Sequence, residues 1–130
     1  MATDKVRRYE LIYLIEPEAE EDVRQNASDA MVKILEAEGA TILKNEEWGK
    51  RKLAYEIQKV TKAYYHYIEF ISKPGVAHEM ERVLRTSFQG VCIRYQTIKL
   101  EEGINPEQID RYLPGTASDG ADAEQAAEVA

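Results

Sequence analysis

Cysteine occurs once, at Cys92, so neither an internal disulfide nor a multi-cysteine metal site is available. Its apolar neighbours mark it as a small core residue rather than a nucleophile. Histidine occurs twice, at His66 and His78, with no further ligand at metal-binding spacing, so one structural and one surface histidine are expected. No apolar run approaches the roughly 18 residues that a bilayer-spanning helix needs. The start, Met1-Ala2-Thr3-Asp4-Lys5, has no apolar segment ahead of a small-residue cleavage site. A cytosolic protein with no membrane partner is the expectation. The seven glycines form neither GxGxxG nor a P-loop. With no nucleophile beside a base and no ligand cluster, the chain is expected to be no enzyme and to use no cofactor, metal or small-molecule substrate.

Positive charge is in deficit, 17 Lys and Arg against 24 Asp and Glu, a net of −7 over 130 residues. An acidic chain argues at first against a nucleic-acid partner. Residues 1–100 nevertheless hold 16 basic and 16 acidic side chains, while residues 101–130 hold Arg111 against eight acids. The imbalance belongs to the C-terminal segment. Inside the neutral body, residues 16–38 stand at −6 and residues 39–100 at +5. At 44% hydrophobic and 32% charged, the composition suits one soluble domain.

From Arg8 to Ile15, Tyr9, Leu11, Tyr13 and Ile15 alternate with Arg8, Glu10, Ile12 and Leu14, which reads as a strand stopped by Pro17. Val23, Ala27, Ala30, Met31, Ile34 and Leu35 recur at spacings of three and four, predicting a helix from about Glu18 to Glu38 that Gly39 ends in a left-handed cap. Ala40 to Trp48 and then Leu53, Tyr55 and Ile57 read as one long strand bent at Gly49. Gln58–Lys62 forms a connection, Ala63–Ile71 a third strand with Tyr64, His66, Ile68 and Phe70 on one face. Val76, Met80, Val83, Leu84, Ser87 and Phe88 predict a second helix, stopped at Gly90, and Val91–Leu100 the last strand. The order strand, helix, strand, strand, helix, strand predicts an α+β, ferredoxin-like split βαβ fold: a four-stranded antiparallel sheet with two helices on one face and the other face open. Asn105 as N-cap, Pro106 at the first helical position, Gln108 reaching back and an Ile104–Ile109 staple predict a short extra helix ending near Leu113. From Pro114 on, the composition is that of a disordered acidic tail.

The segment that rises above background is Trp48-Gly49-Lys50-Arg51-Lys52-Leu53-Ala54-Tyr55, three consecutive cations between two aromatics, with Lys44, Lys59 and Lys62 nearby. Such interleaving suits RNA phosphates and exposed bases. It equally suits a charged edge that keeps strands from aggregating, and the residues alone leave both readings open. An RNA-recognition-motif reading would need Tyr13, Tyr65 and Tyr67 on the open face. Tyr13 belongs to the wholly apolar set of its strand and so points to the core, and Tyr64 and His66 stand where that family has glycine and a small residue. An acylphosphatase-like enzyme would need a basic anion loop after the first strand, where Glu16-Pro17-Glu18-Ala19-Glu20-Glu21 is acidic.

Arg7-Arg8-Tyr9-Glu10, Pro17, Glu46-Glu47-Trp48-Gly49, Arg51, Leu53-Ala54-Tyr55-Glu56-Ile57, Leu84-Arg85 and Ile93-Arg94-Tyr95 resemble the bacterial small-subunit ribosomal protein six family over roughly residues 7–100. Ala63 departs from the glycine usual there, and the ending Glu128-Val129-Ala130 departs from the terminal glutamates of some members. The resemblance implies a non-enzymatic protein of the cytoplasmic ribosome that binds small-subunit rRNA together with small-subunit ribosomal protein eighteen during platform assembly. It divides the chain into a lead (1–6), an rRNA-binding domain (7–100), an extension (101–113) and an acidic tail (114–130). Lys50, Arg51 and Lys52, then Arg7, Arg8, Arg94 and Lys99, are the expected contacts to phosphate or partner. Trp48 and Tyr55 either stack on RNA or pack within the bent strand, with packing preferred, and the acidic first helix is read as solvated surface. The rival reading is a ferredoxin-like regulatory or ligand-binding module that dimerises through its open face.

Overall fold

A computed structural model describes residues 5–112, the side chains of Asp110 and Arg111 excepted. The expected acidic tail, with Leu113, lies outside the described residues. Along the chain come β1 (Val6–Ile15), α1 (Glu21–Ala37), β2 (Thr41–Ile57), β3 (Val60–Ser72), α2 (Val76–Thr86), β4 (Cys92–Ile104) and a 3₁₀ helix (Pro106–Tyr112). The strands form one sheet in the order β2-β3-β1-β4, every neighbouring pair antiparallel. This is the ferredoxin-like split βαβ arrangement.

Alternation in β1 decides the faces. Tyr9, Leu11, Tyr13 and Ile15 point to the helices and join Ile68 and Phe70 of β3, Met31 and Leu35 of α1 and Met80 and Leu84 of α2 in one core. Tyr13 is fully buried, as its parity requires. α1 starts three residues later than expected because Glu20 is extended (φ −75°, ψ 163°) and its side chain caps nothing. Gly39, at φ 70°, closes that helix, and the Ala40 amide donates to Leu35 O at 2.9 Å.

The second face departs from the expectation of an open surface. Ile12, Leu14, Leu53, Ala63, Tyr65 and Tyr67 are buried there, with no helix above them among the described residues. At one end the β2–β3 hairpin folds back over the face. At the other, Ile109 and Tyr112 of the 3₁₀ helix pack on Val6, Leu43, Ile71 and Ile104. Asn105 caps that helix as its spacing predicts, its Oδ1 accepting from the Glu107 amide at 3.0 Å.

Further boundaries also differ, α2 ending at Thr86 rather than running through Phe88 to Gly90. The connection expected at Gln58–Lys62 is a two-residue turn, Gln58 and Lys59 at φ 51° and 68°, with β3 resuming at Val60. Both residues sit in the left-handed region that hairpin turns of this length require, although neither is Gly or Asn. β4 continues to Ile104, four residues past the expected Leu100, because Val6 of β1 pairs with Ile104.

Candidate nucleic-acid interface

Strand pairing distributes the three central cations over both sides of an edge strand. β2 is the sheet edge, and its register shifts between Glu47 and Gly49, so Trp48 is an extra residue in the ladder and Gly49 takes φ 82°. Beyond this bulge Lys50 pairs with Tyr64, Arg51 with Ala63 and Lys52 with Lys62. Directly paired residues share a face. Lys50 and Lys52 therefore flank the helix side, while Arg51 lies on the helix-free side.

All three side chains are exposed. Lys50 Nζ lies 5.2 Å from the centre of the Tyr64 ring, and the Arg51 guanidinium 4.9 Å from Trp48 and 5.9 Å from Tyr65. Among the described residues none of the three has an ion-pair partner. Rings orient a cation without neutralising it. The Lys52–Lys62 pair adds like charges facing each other across the ladder, an arrangement that a polyanion relieves. From Trp48 to Tyr65 the hairpin carries five cations, Lys50, Arg51, Lys52, Lys59 and Lys62, against Glu56 alone. Lys62 owes its place here to register, which spacing along the chain does not reveal.

Trp48 packs. Its ring stacks on Tyr67 at 5.0 Å and 10°, and its Nε1–H donates to Glu46 Oε1 at 2.9 Å. Tyr55 does not pack into the strand: it is 54% exposed, and its hydroxyl accepts from Arg94 Nη1 at 2.7 Å. The expected alternation of Leu53, Tyr55 and Ile57 fails because Leu53–Glu56 of β2 stand opposite Thr61 alone, between the pairs Lys52–Lys62 and Ile57–Val60. Arg94 reaches the hairpin from β4, where it pairs with Leu14 on the helix-free face.

Arg7, Arg8 and Lys99 lie at the other end of the sheet and are engaged within the fold. Arg7 Nη1 donates to the Tyr9 hydroxyl at 3.3 Å, and Lys99 Nζ meets Glu102 Oε1 at 2.9 Å. Arg8 Nε donates to Glu69 Oε2 at 2.6 Å, and Glu69 is fully buried. The Tyr67 hydroxyl lies 2.8 Å from Glu10 Oε2 and 2.9 Å from Glu69 Oε1, and the Tyr112 ring lies under the Arg8 guanidinium at 5.6 Å. A carboxylate removed from water needs a cation and donors, and Arg8 supplies Glu69 with both.

Of the remaining chemical candidates, His66 and Cys92 are packed within the fold and His78 lies on the surface. His66 stacks on Tyr13 at 5.0 Å and lies 2.6 Å from Asn45 Oδ1, burial holding its pKa below the ordinary histidine value. The His78 side chain is 88% exposed. Cys92 packs against the helix-side core, and burial pushes its thiol up to about 11.

Fold and site together define a ferredoxin-like α+β protein with five cations gathered on one folded-back hairpin. Residues 8–99 match the family of ribosomal protein S6. Small ribosomal subunit protein bS6 of Heliobacterium modesticaldum is 35% identical over 97 residues, 75% of this chain and 99% of that protein. Its counterpart in Caldanaerobacter subterraneus is 38% identical over 97 residues, covering 75% of this chain and 100% of that protein. The crystal structure of 30S ribosomal protein S6 from Thermotoga maritima superposes with a TM-score of 0.65 at 34% identity, over 72% of this chain and 87% of that one. The chain belongs to the ribosomal protein S6 family, structural proteins of the small ribosomal subunit. The family match ends at Lys99, so the 3₁₀ cover over the Arg8 end of the sheet is built by residues beyond it.

Proposed function

We propose that this chain binds small-subunit rRNA together with small-subunit ribosomal protein eighteen, as a structural and non-catalytic component of platform assembly. The observation that carries the reading is the hairpin: Lys50, Arg51 and Lys52 are exposed and, among the described residues, without a carboxylate partner, and Lys50 and Arg51 are seated on aromatic rings. These three are the RNA-binding residues. Arg7, Arg8 and Lys99 spend their donors on Tyr9, Glu69 and Glu102 and serve the fold first. Residues 7–100 are the binding domain, flanked by the lead, the extension and the acidic tail. A neutral body with one basic strip neutralises few phosphates, so affinity for RNA alone is modest and falls with salt. A basic protein partner beside it supplies the missing charge. The rival homodimer would pair two open faces, but the hairpin and the 3₁₀ helix already occupy both ends of that face.

The test is binding to small-subunit rRNA loaded with ribosomal protein eighteen. Changing Lys50, Arg51 and Lys52 together to Ala is expected to weaken it by about a hundredfold at low salt. Unchanged binding would show that the strip is not the contact.

A further inference from the structure

The Tyr55–Arg94 hydrogen bond joins the two opposite edges of the sheet, because β2 and β4 are its outermost strands. Two strands lie between them, so the bond exists only because the hairpin folds back across the helix-free face. Its cause is local. Four residues of β2, Leu53 to Glu56, stand opposite Thr61 alone, and a surplus on one strand bends the ladder. Leu53 drops onto Ile12 and Leu14, while Tyr55 is turned outward toward Arg94. A second bond closes the same seam, Gln58 Nε2 donating to the Ile93 carbonyl at 3.3 Å.

We propose, resting on the rRNA reading above, that Tyr55 and Arg94 form a tie that positions the cationic hairpin for RNA, and that Arg94 acts through Tyr55 rather than as a phosphate ligand. The hairpin bears its cations on both sides of one ribbon, so their spacing relative to a phosphate backbone depends on how the ribbon is folded back. Untied, the ribbon is free to swing about the surplus at Leu53–Glu56, which moves Lys59 relative to Lys50, Arg51 and Lys52, and only the fraction of molecules in the folded-back arrangement binds at full strength. The apparent dissociation constant rises by the inverse of that fraction. Arg94 and Tyr55 are therefore positioning residues, and Lys50, Arg51 and Lys52 the contacts.

Tyr55→Phe removes only the hydroxyl, leaving ring and charge in place. The probe is small-subunit rRNA loaded with ribosomal protein eighteen, titrated at several salt concentrations. Tyr55→Phe is expected to weaken binding roughly fivefold, the net scale of one ordinary solvent-exposed hydrogen bond, without changing the slope of log affinity against log salt. In the free protein, amide exchange at residues 58–61 should quicken while the melting temperature stays close to that of the parent. Arg94→Ala should show the same loss and the same slope, and the double variant no further loss. A slope that falls by about one in Arg94→Ala places its guanidinium on a phosphate and overturns the positioning role. So do losses that simply add, or parental affinity in Tyr55→Phe. The Lys50, Arg51 and Lys52 triple variant is measured alongside. If it too binds as the parent, the rRNA reading fails and the tie with it; if it does not while Tyr55→Phe does, only the tie fails.

Discussion

Arg8 and Arg51 lie on the same face of the same sheet, opposite Ile71 and Ala63 of β3. Those eight residues correspond to roughly 25 Å at the rise of an extended strand. At the Arg8 end a buried carboxylate, Glu69, commits the guanidinium, and the Tyr112 ring covers it. At the Arg51 end, among the described residues, aromatic rings alone lie beside the guanidinium, so its charge is oriented and still available. The same residue type holds the fold together at one end and presents charge to solvent at the other. What separates the two roles is whether a carboxylate is buried beside the cation, since burial without a partner costs far more than a surface pair returns.

The largest effect should come from breaking the paired end. Arg8→Met leaves Glu69 buried without its cation and is expected to destabilise the fold by about 3–5 kcal/mol in urea unfolding. Adding Glu69→Leu should restore only part of that loss, because Glu10, buried opposite Glu69 on the same Tyr67 hydroxyl, keeps its carboxylate. A loss below about 1 kcal/mol in Arg8→Met would mean that the two ends do not differ in the way described.

At the hairpin end the same kind of change should act on binding and spare the fold. Arg51→Ala is expected to cost under about 1 kcal/mol of stability, through its lost ring contacts. It should lower the salt slope of rRNA binding by about 0.7–0.9, the contribution of one phosphate contact. A stability loss like that of Arg8→Met would erase the distinction.

Tyr112→Ala sharpens the comparison from the side of the cover. The ring contributes a cation contact to Arg8 and its hydroxyl donates to Glu101 Oε2 at 2.8 Å. Together these predict a loss of about 1–2 kcal/mol with rRNA affinity unchanged, read by thermal melting and by titration. A fall in affinity would extend the binding surface to the Arg8 end.

The sequence was a good guide wherever one periodicity governed one element. β1 announced its core face through Tyr9, Leu11, Tyr13 and Ile15, and α1 and Gly39 followed from spacing and cap chemistry. Non-local pairing was not legible. Arg8 reads as a free terminal cation until β3 brings Glu69 beside it from 61 positions away. Tyr55 reads as a strand residue until the surplus in β2 turns it out, and Lys62 reads as loop until it pairs with Lys52. The face expected to be open was closed by segments whose docking depends on tertiary contact rather than on local propensity.

The smallest expected effect concerns pH and belongs to the hairpin end. His66 faces Tyr13 and Asn45 on the helix side of β3 and pairs across the ladder with Glu47, which Arg24 holds at 3.2 Å. Burial lowers its pKa in the fold, and the Glu47 charge offsets part of that. The unfolded chain therefore takes up a proton more readily, so protonation favours unfolding. The contribution is complete above the ordinary histidine pKa of about 6.5 and is lost as pH falls through the lower value held in the fold. Between pH 7 and 5.5 this predicts a small decline in unfolding free energy that His66→Gln removes. Amide protection factors, corrected for the intrinsic pH dependence of exchange, should fall around Asn45 and His66 over that range before they do around Arg8 and Glu69. A simultaneous fall in protection at both ends would mean that acid acts on the whole sheet at once.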